Sequence, residues 1–164
     1  MKTYYGKYRG KVVDNKDEWH RGRIQVEVPA VYGDSTLSWA YPCTPYAGKG
    51  VGFFTMPPIG ANVWVEFEMG NPNYPIWSGC FWGDGEVPEE TKNGDPMMKV
   101  WKTDMAEISI DDENGIVTIK VNNDTPQTII LENQKITIDN GNKSVIVLDG
   151  TLKVTINEDG LEVN

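Results

Sequence analysis

The last third of the chain, from Ala106 to Asn164, constrains the fold most. Short apolar runs such as Ile108 to Ile110, Ile116 to Val121 and Leu152 to Ile156 are separated by Asp111 to Gly115, Asn122 to Asp124, Asp139 to Asn142, Asp149-Gly150 and Asn157 to Gly160. These separators are turn formers that accept left-handed backbone at little cost. Within the runs the side chains alternate: Ile136 and Ile138 flank Thr137, Leu152, Val154 and Ile156 alternate with Lys153 and Thr155, and Leu161 and Val163 flank Glu162. That period is the signature of half-buried strands, and no helical period competes with it.

Between Ile108 and Val163 there are 20 Ile, Val and Leu residues in 56 positions, without one aromatic or cysteine. A narrow ribbon of this kind has open edges, one apolar face and nothing of its own to cover that face. Copies of itself are the economical partners, because a closed assembly removes edges and places the apolar faces in a shared core. The expectation is an obligate homotrimer winding three such segments into a β-prism or intertwined β-helix. Its core would hold Ile108, Ile110, Ile119, Val121, Ile136, Ile138, Val145, Val147, Leu152, Val154, Ile156, Leu161 and Val163.

Charge and aromatic content divide the chain into two physically different parts. Residues 1 to 103 carry 12 acidic and 11 basic residues, whereas residues 104 to 164 carry 12 and 4, so the net charge of -9 sits almost wholly in the strand array. All 17 aromatics lie at or before Trp101. An acidic array disfavours nucleic acid and anionic membrane surfaces as equilibrium partners and keeps a repetitive β structure dissolved.

The front part also reads as all-β. Strands are expected within Tyr5 to Asn15, Gly22 to Val28, Ala61 to Phe67 and Pro75 to Phe81, with further strand around Ser38 to Tyr41 and Val51 to Thr55 inside the long connection from Pro29 to Gly60. Gly and Pro punctuation without any helix-period segment suggests a small barrel over residues 1 to 82. Residues 83 to 96, polar and proline-bearing, read as a linker, and 97 to 164 as the strand array.

Little in the chain reads as reactive chemistry. His20 is the only histidine, so no histidine-based metal cluster exists. Cys43 and Cys80 lack metal-ligand spacing and read as free thiols. Glu66 and Glu68 share one strand face, opposite Val63, Val65 and Phe67, and read as a solvated face rather than an acid/base pair. Gly48 to Gly52 lacks the spacing and following Ser/Thr of a phosphate loop. The acidic turn at 111 to 115 lacks the alternate ligands and distal Glu of a calcium loop. Neither a cofactor nor a metal is expected. There is no apolar leader at the N-terminus and no run of 18 apolar residues, which points to synthesis and assembly in the cytoplasm.

Four ordered blocks carry a resemblance. They are Gly22 to Val26; Ala47 to Phe53; Pro57 to Phe67; and Gly70-Asn71-Pro72-Asn73-Tyr74-Pro75-Ile76 with Gly79. Together they resemble the OB-fold domain of the contractile-tail spike family, which includes baseplate assembly protein V of phages, the valine-glycine-repeat spikes of type VI secretion and the spikes of phage-tail-like injection particles. Gly48, Gly50, Gly52, Phe53, Pro57, Gly60, Gly70, Pro72, Pro75 and Gly79 are the positions that match.

The resemblance implies an all-β chain, an OB-fold barrel followed by a trimeric intertwined β-helix (β-prism) needle. It implies a structural, non-enzymatic role as the homotrimeric central spike of a contractile injection baseplate, capping tube and hub and piercing the target envelope. Implied partners are a separate hub or baseplate protein and the tube; since no His-x-His pair stands near Val163, either a separate tip protein sharpens the needle or its apex needs no metal. Contact with the target membrane would be transient, and the setting a phage tail or phage-tail-like particle, including one released from the cell. Two other classes remain open: an OB-fold module binding oligosaccharide or oligonucleotide on Trp64 or Tyr46, and a glycan-processing β-helix of tailspike type.

Overall fold

The computed structural model describes residues 2 to 150 and 154 to 157. It is all-β apart from single turns, and the chain divides into two compact units, residues 1–86 and 87–164.

The first unit is a closed barrel of five strands in the order β1 (Tyr8–Asp14), β2 (Ile24–Glu27), β3 (Thr36–Pro42), β7 (Pro75–Phe81) and β6 (Asn62–Phe67). Neighbours run antiparallel except where β3 meets β7 in parallel and closes the cylinder. Alternation predicts which side chains point inward. Val63, Val65 and Phe67 of β6 are buried while Asn62, Trp64 and Glu66 are only half-buried. With Val12, Ile24, Val26, Val28, Ala40 and Trp77 they make the core. Each large aliphatic buried there contributes about 2 kcal/mol.

Gly10 allows the strands to close tightly, since a Cβ there would lie 2.9 Å from the Glu27 carbonyl oxygen and 3.0 Å from Val65. The Trp77 indole N–H donates to the Gly22 carbonyl at 3.1 Å, so the one polar atom of that buried ring is satisfied. The other end is closed by Tyr4, Tyr8 and Tyr32 around Phe67, with ring centroids 5.5 to 6.1 Å from it.

Two features of this unit lie outside the sequence expectation. Pro29–Tyr32 forms a single helical turn, α1, where loop or strand was expected; proline at its start fixes the φ that a first helical turn needs. The strand expected over Val51 to Thr55 shortens to β5 (Val51–Gly52), which pairs only with β4 (Ala47–Gly48) as a separate hairpin.

The second unit is a single antiparallel sheet of seven strands whose spatial order is their chain order. They are β8 (Met98–Lys102), β9 (Ala106–Asp111), β10 (Ile116–Val121), β11 (Gln127–Glu132), β12 (Lys135–Asp139), β13 (Val145–Asp149) and β14 (Val154–Ile156). Residues 87 to 96, read from sequence as part of a linker, belong to this unit and include a 3₁₀ turn at Glu89–Thr91. No helix among the described residues is long and apolar enough to cross a membrane.

Candidate functional site

Residues directly opposite one another in a sheet point to the same face, so the register of the second unit sorts its side chains without ambiguity. One row runs across all seven strands as Trp101, Ile108, Ile119, Ile129, Ile138, Ile146 and Ile156. Beside it on the same face runs Ile110, Val117, Leu131, Ile136, Leu148 and Val154, which begins at Lys99 on β8. Six isoleucines in one file, backed by a second aliphatic file, form an almost unbroken apolar surface.

The opposite face is different in kind. Its rows are Val100, Ser109, Thr118, Ile130, Thr137, Val147 and Thr155, and Lys102, Glu107, Lys120, Thr128, Asp139 and Val145. Hydroxyls and paired charges dominate it.

Among the described residues of the second unit, nothing covers the apolar face. Ile108, Ile110, Ile119, Ile129, Leu131, Ile136, Ile138, Ile146 and Leu148 are all between 37% and 42% exposed, as is expected of side chains packed sideways on their file neighbours and open above. An open groove of about 540 Å³ follows the isoleucine file, lined by Ile119, Val121, Ile129, Ile138, Ile146 and Ile156. A contiguous patch this large on a soluble chain marks an interaction surface.

Of the residues read from sequence as the trimer core, Ile108, Ile110, Ile119, Val121, Ile136, Ile138, Val154 and Ile156 stand on this face. Val145 and Val147 do not: the register puts them on the polar face, and their neighbours Ile146 and Leu148 take the apolar side. Leu152, Leu161 and Val163 lie outside the described residues. Sequence reasoning missed Val117, Ile129, Leu131, Ile146 and Leu148. In Ile129-Ile130-Leu131 and in Val145 to Leu148 both parities are apolar, and only the pairing partners tell them apart.

The residues matched by the barrel resemblance have architectural positions. Gly48, Gly50 and Gly52 build the β4–β5 hairpin, and the Phe53 N–H donates to the Tyr46 carbonyl at 2.8 Å to close it. The Pro57 carbonyl accepts from Asn15 at 2.9 Å, and the Gly60 N–H donates to Val12 at 2.8 Å, which together fix the approach to β6. Gly70 accepts from the Tyr4 N–H at 2.9 Å, Pro72 accepts from the Tyr32 hydroxyl, and Pro75 opens β7 fully buried. Gly79 sits where the β6–β7 register shifts between Val63 and Val65.

Other candidates for chemistry are quiet. The Asp17 carboxylate binds Arg23 at 2.6 Å with the two side chains 4% and 8% exposed, and Arg23 holds that carboxyl far below the usual carboxylate range. The Trp19 ring lies 4.1 Å from the Arg23 guanidinium carbon, so the pair is enclosed as a structural unit. Trp64, one of the two stacking platforms considered for a barrel ligand, is already occupied by Phe81, with ring centroids 4.7 Å apart, and by Arg9. Tyr46 is exposed and borders a groove of about 490 Å³ with Val51, Phe53, Phe54 and Met56. Among the described residues no group of three or more His, Cys, Asp and Glu has the geometry to hold a metal ion.

A barrel joined to a sheet with one uncovered face defines a protein built to assemble. Residues 8–82 match the family model of the type VI secretion system/phage-baseplate injector OB domain, and residues 98–162 match that of the phage baseplate V C-terminal trimerisation domain. The chain belongs to the phage baseplate V and type VI secretion spike family. No curated protein matches it.

Proposed function

We propose that three copies of this chain bring their isoleucine files together around one axis, forming a β-prism that serves as the central spike of a contractile injection baseplate. The observation that carries the reading is the uncovered apolar face of the trimerisation unit. Covering the remaining two fifths of each aliphatic side chain is worth about 1 kcal/mol. Summed over two files and three chains, the gain is ample for a stable assembly.

In this arrangement the polar face, with its hydroxyls and Lys–Glu pairs, points outward to solvent. The barrels mount the prism on a separate hub and on the tube. Sheath contraction drives the rod through the target envelope, where its contact with membrane is brief. The role asks for stiffness and slow unfolding rather than a reactive group, and no catalytic residue is assigned.

Mass measurement and low-resolution imaging of the purified full chain test the reading. The expected result is a three-fold rod with a wider head at micromolar concentration. A folded monomer under those conditions would refute it.

A further inference from the structure

Among the described strands, no ladder joins the β4–β5 hairpin to the barrel. Its four strand residues, Ala47, Gly48, Val51 and Gly52, are all exposed, and Lys49 stands exposed in its turn. A two-stranded hairpin by itself is marginal in water. The groove of about 490 Å³ beside it is lined by hairpin residues and by Pro42, Ser78 and Gly79 of the barrel wall. Tyr46, Val51 and Phe54 project here, 59%, 54% and 74% exposed.

A second apolar patch lies where β3 meets β7. Tyr41, Met69 and Tyr74 are 43%, 83% and 59% exposed there, and a groove of about 300 Å³ is lined by Tyr41, Pro42, Glu68, Tyr74 and Ile76. The two grooves have only Pro42 and Cys43 in common. Glu68 is exposed at the edge of the second one. Among the described residues neither Glu68 nor Lys49 has an ion-pair partner.

The size of the patches decides what can cover them. At about 200 Å² per aromatic ring, each offers roughly 350 Å² of exposed apolar surface. A partner arriving from solution needs about 800 Å² on each side. A copy already joined through the trimerisation domain has spent its association entropy, so a smaller contact is enough. Contacts between neighbours in a ring of three are heterologous, because rotation carries a patch away from itself unless it lies on the axis. Each chain then needs two different patches, and the barrel has two.

We propose that in the trimer the β4–β5 hairpin of each chain docks into the β3–β7 groove of the next copy, with Val51 and Phe54 covering Tyr41 and Tyr74 and with Lys49 pairing with Glu68. The inference rests on the three-fold assembly proposed above and adds to it a ring of barrels, an interface separate from the isoleucine files. The hairpin gains the cover that its own chain does not supply. The ion pair at the rim contributes little energy but fixes which side of the neighbour is engaged, and so the direction of the ring.

Zero-length carbodiimide coupling of the full-length protein, which joins an amine to a carboxylate in contact with it, tests this. Trimers would be assembled from mixed natural and heavy-nitrogen chains, so that links between chains are told apart from links within one. The expected product is a Lys49–Glu68 amide between chains. Phe54→Asp should lower its yield roughly tenfold or more, the worth of one buried aromatic side chain, with the trimer mass unchanged. Lys49→Glu should remove the link, and adding Glu68→Lys should restore it with amine and carboxylate exchanged. An intact trimer whose Lys49 and Glu68 couple only within one chain, or not at all, overturns the ring contact and leaves the isoleucine prism standing. So does a link that Phe54→Asp leaves at full yield. A wild-type protein of monomer mass overturns both.

Discussion

At Ile138 the side chain rests against Ile129 on one side and Ile146 on the other, and the 41% of it that remains exposed faces nothing in its own sheet. An aspartate at this position would place three like charges around the axis of the proposed prism, where each would lose its water without gaining a partner. Ile138→Asp should abolish the trimer, read as a monomeric mass in sedimentation. Val147→Asp introduces the same residue, with the same poor strand propensity, one strand away and on the polar face between Thr137 and Thr155. It should leave the mass at that of a trimer and lower the unfolding temperature by only a few degrees, the effect of about 1 kcal/mol. If Val147→Asp dissociates the trimer and Ile138→Asp does not, the apolar file is not the core.

The elements of the second unit are joined by turns that nest into one another. Gly141, in the turn between β12 and β13, lies against the turn between β10 and β11; a Cβ on it would come within 2.5 Å of the Pro126 carbonyl oxygen and 2.6 Å of that of Thr125. Its φ of +72° already disfavours any L side chain. Gly115 has a similar φ of +66° but open space around it. Gly141→Ala should therefore destabilise by about 2 kcal/mol or more, and Gly115→Ala by about 1, a difference visible as the gap between their midpoints in thermal unfolding. How far such elements were legible depended on the residues that mark them. Where a polar residue interrupts the apolar ones, as at Ser109 or Thr137, periodicity assigned the face correctly. Where four apolar residues run together, as in Val145 to Leu148, alternation carries no parity and the choice fell on Val145 and Val147, on the polar side. The two-residue turn at Asn133-Gln134 was also silent, since left-handed backbone falls on Gln134 and not on glycine. The opening segment of the second unit, residues 87 to 96, looked like a linker because its ties, Glu90 to Lys102 and Lys92 to Asp111, join residues 12 and 19 positions apart.

For the whole molecule, the two units differ in where their burial comes from. The barrel encloses its own core, with nine buried apolar residues among those described, so its stability belongs to one chain. The sheet has no such core: of its described residues only Glu107 is fully buried. Its stability should therefore depend on concentration in the way an obligate assembly's does. Thermal unfolding of the full chain followed by far-ultraviolet dichroism should shift to lower temperature on dilution. Tryptophan fluorescence, which reports mainly on the barrel because five of six tryptophans lie there, should shift less. Coincident, dilution-independent transitions would contradict this division. The barrel was legible in the sequence through its inward-pointing Val63, Val65 and Phe67 and through glycines and prolines at its closures. Charge and aromatic content change at residues 101 to 104, whereas the compact units divide after Glu86.

The seven strands of the sheet follow one another in space as they do along the chain. A hairpin inserted between any two of them would add two rungs, about 10 Å at the usual strand spacing, without disturbing the contacts of more than its immediate neighbours. The extent of the sheet is thus written as a number of repeats, and it can be tuned by duplication or deletion of short sequence segments while the barrel's own core stays the same.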